Sequence, residues 1–109
     1  MKIAIVGSRE LFDIDLVKYI PEGVSEIISG GARGVDTLAA EYARDNDIPL
    51  TEILPEYSKY GKRAPLLRNE LIVNHADLVL VFWDSRSTGT KYVIDYCKRT
   101  GKECRVIIC

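Results

Sequence analysis

Ser29-Gly30-Gly31-Ala32-Arg33-Gly34-Val35-Asp36 is the stretch whose reading decides the fold of this chain. It follows a short apolar run, Glu26 to Ser29, that reads as the end of a buried strand. Val35, Leu38, Ala39, Tyr42 and Ala43 then recur at the i, i+3, i+4, i+7 and i+8 spacing of an amphipathic helix. A strand, a glycine-rich turn and a helix in succession point free backbone N–H groups and the positive helix end at an anion. Glycine permits positive φ and lets backbone approach a ligand with no Cβ in the way. Arg33 adds a guanidinium fork suited to phosphate or carboxylate. The plainer alternative is a tight strand-to-helix connection that needs glycine for geometry alone. Gly30, Gly31 and Gly34 with an arginine among them favour the anion site. No Lys-Ser or Lys-Thr follows the last glycine, so this is not a Walker A loop, nor is it the G-x-G-x-x-G dinucleotide fingerprint. The stretch speaks for an anion, a nucleotide above all, and says little about a reaction.

Working outward, Ile3 to Val6 is a β-branched apolar run typical of a strand buried on both faces. It ends at Gly7-Ser8-Arg9, a turn with a small hydroxyl and a second arginine. A short helix is expected next, starting near Asp13 or Asp15, with Leu16, Val17 and Ile20 inward and Pro21 and Gly23 as its stop. After the glycine turn the pattern predicts a helix over about Val35 to Asn46 and a third strand from Leu50 to Leu54, closed by Pro55. Tyr57 to Ala64 is polar, basic and aromatic and reads as a loop or lid. A helix from about Pro65 to His75 follows, with Pro65 in the permitted first turn and Leu67, Leu71 and Ile72 inward. Leu78 to Trp83 is the most apolar run and should be a central strand. It opens into a small-residue loop, Asp84 to Thr90, then a helix with Thr90, Val93, Ile94 and Cys97 on one stripe and Gly101 as its C′ glycine. Arg105 to Ile108 is the last strand.

Strands alternating with helices imply an α/β fold with a parallel sheet covered on both faces. The expectation is one Rossmann-like domain over residues 1–109, five strands in the order 3-2-1-4-5. Ligands in such sheets bind beyond the strand C-termini where the chain direction reverses, here between the first and fourth strands. Arg9, Arg33, Lys62, Arg63, Arg68, Arg86 and Lys91 all fall in or just after loops leaving that edge. The formal net charge is only −1, so these cations are gathered on one rim of a balanced protein. That suits a phosphorylated small molecule and argues against strong nucleic-acid binding, which needs a basic stripe. No apolar run is long enough to span a bilayer, and the start from Met1 to Gly7 reads as a strand rather than a signal peptide. Cys97, Cys104 and Cys109 have no C-x-x-C spacing and read as reduced thiols of a cytoplasmic protein. His75 has no cysteine or carboxylate cluster near it in sequence, so no metal site is expected.

Gly7-Ser8-Arg9, Ser29 to Asp36, Lys62, Arg68-Asn69 and Ser87-Thr88-Gly89-Thr90 occur in an order and spacing that resembles the SLOG superfamily. That superfamily joins the Rossmann domain of DNA-processing protein A to the Lonely-guy phosphoribohydrolases. The pattern most resembles its small single-domain branch, the YspA, cpYpsA-related SLOG family. The resemblance covers essentially the whole chain and implies a Rossmann-like fold, a nucleotide or nucleotide-derived ligand at the strand C-termini, and a homodimer. It implies no certain cofactor. In Lonely-guy enzymes an arginine and a glutamate cleave an N-glycosidic bond. The arginine matches Arg68, but the glutamate position is Val93, which cannot act as acid, base or cation stabiliser. Glycosidase chemistry of that kind would need a substitute carboxylate, with Glu70 the first candidate and Asp84 and Asp95 behind it.

The ligand-binding candidates are therefore Gly7, Ser8, Arg9, Gly30, Gly31, Ala32, Arg33, Gly34, Asp36, Lys62, Arg68, Asn69, Ser87, Thr88, Gly89 and Thr90. Several have ordinary alternatives: a surface ion pair for Arg9, a salt bridge to Glu70 or Asp36 for Arg68, a cap for Asp36, Ser87 or Thr90. Trp83 could stack on a base or pack against the sheet. Three functions follow from these readings. The favoured one is a nucleotide-binding sensor or carrier; a nucleotide hydrolase using Arg68 and Glu70 comes next, and a single-stranded nucleic-acid module last.

Overall fold

The computed structural model describes residues 1–109. Five strands, β1 (Lys2–Gly7), β2 (Glu26–Ser29), β3 (Leu50–Glu52), β4 (Leu78–Trp83) and β5 (Cys104–Ile108), form one parallel sheet in the order β3-β2-β1-β4-β5. The helices are α1 (Val35–Asp45), α2 (Tyr57–Tyr60), α3 (Ala64–His75) and α4 (Thr88–Thr100). This is the α/β Rossmann-like architecture expected from the alternation of patterns.

The period-two geometry of a strand sorts its side chains between the two faces. Ile3 and Ile5 of β1 join Leu78, Leu80 and Phe82 of β4 under α1, whose Val35, Ala39 and Ala43 complete that half of the core. Ala4 and Val6 join Val79 and Val81 on the opposite face, against Ile72 and Val73 of α3 and Val93, Ile94 and Cys97 of α4. Central strands covered on both faces read as continuous apolar runs for this reason.

The chain lays down β1, β2 and β3 in one direction, then returns past β1 to lay down β4 and β5 in the other. The register pairs Gly7 with Phe82 at the C-terminal end of β1 and β4. Loops leaving these two strands diverge to opposite faces, which opens the crevice that holds the site.

Four local expectations need correction. The segment after β1 forms only a 3₁₀ turn, Leu16–Lys18, and Val17 is 67% exposed rather than inward. A window this short between Asp15 and Pro21 cannot repay helix nucleation, and the Asp15 side chain makes no cap bond. Leu16 and Tyr19 pack instead, the latter edge-on to Phe82 with ring centroids 5.4 Å apart. Strand β3 stops at Glu52, and Leu54 lies exposed beyond it. The expected lid, Tyr57 to Ala64, is helical: α2, then a 3₁₀ turn Gly61–Arg63 that runs into α3. Leu71 of α3 is exposed, not inward.

Candidate functional site at the strand switch point

The crevice between β1 and β4 opens into a cavity of about 620 Å³, inside the roughly 300–1,000 Å³ range of small-ligand sites. Its wall takes Gly7, Ser8 and Arg9 from the first turn, Gly30, Ala32 and Asp36 from the glycine turn, and Arg68 and Asn69 from α3. Ser87, Thr88, Gly89 and Thr90 come from the start of α4. Gly31, Arg33, Gly34 and Lys62 are not in the wall. Val6, Glu10, Pro65, Ile72, Asp84 and Arg86 are, beyond the candidates named from sequence.

Arg68 is the most constrained of these groups, with only 7% of its surface exposed. Nε donates to Asn69 Oδ1 at 2.9 Å, and Nη1 donates to the carbonyls of Gly30 and Ile53 at 2.6 and 3.3 Å. Nη2 donates to no atom of the chain. No buried side-chain nitrogen lacks a partner, so Nη2 must keep access to solvent, which for this residue is the cavity. Burial lowers the Arg68 pKa and the nearby Asp36 charge raises it; a guanidinium stays protonated regardless.

Asp36 Oδ2 accepts the Ala32 N–H at 3.0 Å. Burial pushes the Asp36 carboxyl above its ordinary range, against the pull of that N–H, of the Arg68 charge and of Ser29. Arg68 and Asp36 converge on Gly30, where a Cβ would sit 2.6 Å from Nη1 and 3.1 Å from Oδ2. A side chain there would push the guanidinium off the Gly30 carbonyl. Gly34 has another reason: at φ 75° its Cβ would lie 2.5 Å from the Arg9 carbonyl, so it lets the glycine turn pack against the first turn. Arg33 turns to the surface, where Nη2 lies 2.5 Å from Glu10 Oε1 and the side chain is 64% exposed.

Ser8, fully buried, ties the two crevice loops together. Its N–H donates to the Phe82 carbonyl at 3.1 Å and its Oγ accepts the Asp84 N–H at 3.2 Å. Asp84 Oδ1 accepts the N–H groups of Arg86 and Ser87 at 2.8 and 2.9 Å, which holds its pKa below the ordinary carboxylate value. Ser87 caps α4, its Oγ accepting the Thr90 N–H at 3.3 Å. The N–H groups of Thr88 and Gly89 have no partner in the chain. Trp83 is outside the wall, its indole N–H donating to the Ser87 carbonyl at 3.0 Å. Arg9 and Arg86 reach the rim without an ion pair.

The carboxylates considered as substitutes separate. Glu70 accepts the Tyr92 hydroxyl outside the cavity, and Asp95 pairs with Lys91 on the surface. Asp84 is in the wall, as is Asp36. Val93 is fully buried in the core beneath α4. His75 ends α3 with Nε2 3.2 Å from Glu26, and no three His, Cys, Asp or Glu side chains gather to hold a metal. No helix is long and apolar enough to cross a membrane.

Over residues 1–60 the sequence matches the model of the YspA, cpYpsA-related SLOG family. The chain belongs to that family. No curated protein and no solved structure matches it. The YspA-type match takes in the first turn and the glycine turn, including Gly7, Ser8, Gly30 and Asp36. Membership of this SLOG family supports a nucleotide-related binding or processing role in general terms.

Proposed function

We propose that this chain is a nucleotide- or nucleotide-derivative-binding domain, a sensor or carrier rather than a catalyst, that holds a phosphorylated ligand at the C-terminal edge of its sheet. The observation that carries this reading is Arg68, nine-tenths buried with Nη2 free toward a cavity that also takes in the unpaired N–H groups of Thr88 and Gly89. Three of its five donors are held within the chain and the two on Nη2 stay open to the cavity, where a ligand oxygen can replace water on a cation already fixed in place. Free N–H groups at the start of a thirteen-residue helix favour an anion, reinforced by the macrodipole. A sensor or carrier reading is supported over the phosphoribohydrolase type by Val93 in the core and by Glu70, which is engaged by Tyr92 away from the cavity.

Titration calorimetry with AMP, ADP, ADP-ribose and cyclic dinucleotides tests the proposal. Arg68→Ala should weaken the tightest of these by roughly 1–3 kcal/mol, the range of a lost charge-assisted contact. Arg33→Ala, which removes an exposed pair with Glu10, should change affinity by less than about 0.5 kcal/mol. Equal affinity in wild type and Arg68→Ala, or a larger loss in Arg33→Ala, would contradict it.

A further inference from the structure

At the end of α4 away from the crevice, the chain brings two thiols together. Cys97 lies in the last turn of α4 and is buried, while Cys104 opens β5 and is half-buried against the same core cluster. The connection between them is pinned at both ends. Gly101, at φ 73°, ends the helix, and its N–H and that of Lys102 both donate to the Cys97 carbonyl. The Val79 N–H donates to the Glu103 carbonyl at 3.0 Å, which sets Cys104 beside Val79 on the sheet face that α4 covers. The two thiols are hydrogen-bonded to each other, and no disulfide joins them.

The two positions suit different chemistry. Cys97 is the donor of that bond, which together with burial raises its pKa and keeps it a thiol. Cys104 is the acceptor, and the bond, helped by the Lys98 charge, lowers its pKa against the opposing effect of burial. A partly exposed sulfur with thiolate character is the one that meets an oxidant, and a buried thiol in contact with it is placed to resolve the product. Cys109 is the contrast. It is exposed, yet desolvation and the Asp84 charge push its pKa up.

We propose that Cys97 and Cys104 form a peroxide-responsive redox couple that closes an intramolecular disulfide between α4 and β5. The Cys104 sulfur attacks one oxygen of hydrogen peroxide: an S–O bond forms, the O–O bond breaks, and the leaving hydroxide takes the Cys104 proton as water. The Cys97 sulfur then attacks the sulfenic sulfur: the S–S bond forms, the S–O bond breaks, and hydroxide leaves with the Cys97 proton as a second water. Both thiols are oxidised and the peroxide is reduced.

Hydrogen peroxide in small excess over the reduced protein tests this on the unmodified chain and on Cys109→Ser. Intact mass without reductant should show the loss of two hydrogens, reversed by dithiothreitol. Trypsin without reductant should release residues 92–98 linked to residues 103–105. In Cys97→Ser, Cys104 should stop at the sulfenic acid, which dimedone captures; in Cys104→Ser, Cys97 should resist the same peroxide. Iodoacetamide on the native reduced protein should modify Cys104 ahead of the more exposed Cys109. Cys109 reacting first, disulfides only between chains, or Cys104 driven to the sulfinic acid with Cys97 left free would overturn the couple and leave ligand binding in the crevice untouched.

Discussion

Burying a guanidinium is costly unless its donors are matched, and Arg68 matches three of its five: one on Asn69 and two on the carbonyls of Gly30 and Ile53. Those bonds fix the group so that the unmatched edge faces the cavity. Asp36 is the neighbouring buried charge, and its titration has a definite sign. Its pKa in the folded chain is raised above the ordinary value of 3.8, chiefly by burial. Between 3.8 and the raised folded value the native state holds more protons than the unfolded chain. The stabilisation from this group is therefore full below the unfolded value and is lost as pH rises through the folded one. The amide introduced by Asp36→Asn cannot titrate. The stability of Asp36→Asn relative to wild type, from urea unfolding at a series of pH values, should rise with pH across that window and then level off. A flat or falling difference would contradict the assignment. The sequence puts Arg33 and Arg68 on the same rim but cannot separate their fates. Arg33 sits in the glycine turn itself and reads as the better ligand group, yet it meets Glu10 at the surface. Arg68 is on a helix more than thirty residues later, and only tertiary packing shows that it reaches back to Gly30.

At the scale of elements, the glycines of the site divide by what a side chain would meet. A Cβ on Gly34 would press into the Arg9 backbone at a positive φ. A Cβ on Gly89 would meet nothing within 4 Å. Gly34→Ala should therefore destabilise the fold by about 1–3 kcal/mol. Gly89→Ala, in the first turn of α4, should stabilise it by roughly 0.5–1 kcal/mol through helix propensity. The same methyl adds bulk to the cavity wall, so Gly89→Ala should weaken AMP binding while raising the melting temperature. Thermal unfolding and calorimetry on the two variants check this, and a Gly89→Ala protein with unchanged affinity would remove α4 from the site. Elements are legible wherever one pattern dominates: the apolar runs of β1 and β4, the stripe of α4, the C′ glycine at Gly101 with φ 73°. They are not legible where short segments compete. Residues 57–63 are polar enough for a loop, yet they form turns that lead directly into α3.

For the whole molecule, strand order is readable because right-handed crossovers allow few alternatives once strands and helices alternate. The crevice follows from that order, as does the set of loops around it. The inventory of its wall does not, since Glu10, Asp84 and Arg86 enter through loop conformations that no periodicity encodes. If the chain is a carrier or sensor, purified protein incubated with AMP, GMP, CMP and UMP should release no free base above a buffer control. Release that disappears in Asp36→Asn would instead make Asp36, the carboxylate beside Arg68, the group opposing charge on the sugar.

The central claim is that a phosphorylated ligand sits in the crevice between β1 and β4, on α4 and Arg68. A titration of ¹⁵N-labelled protein with AMP, followed by amide and arginine side-chain resonances, tests it most directly. The account predicts saturable shifts at the Thr88 and Gly89 amides, at Gly30 and at the Arg68 guanidinium, with Arg33 and Lys62 unmoved. Shifts confined to Arg33, Lys62 and the surface of α2, or none at α4, would contradict it.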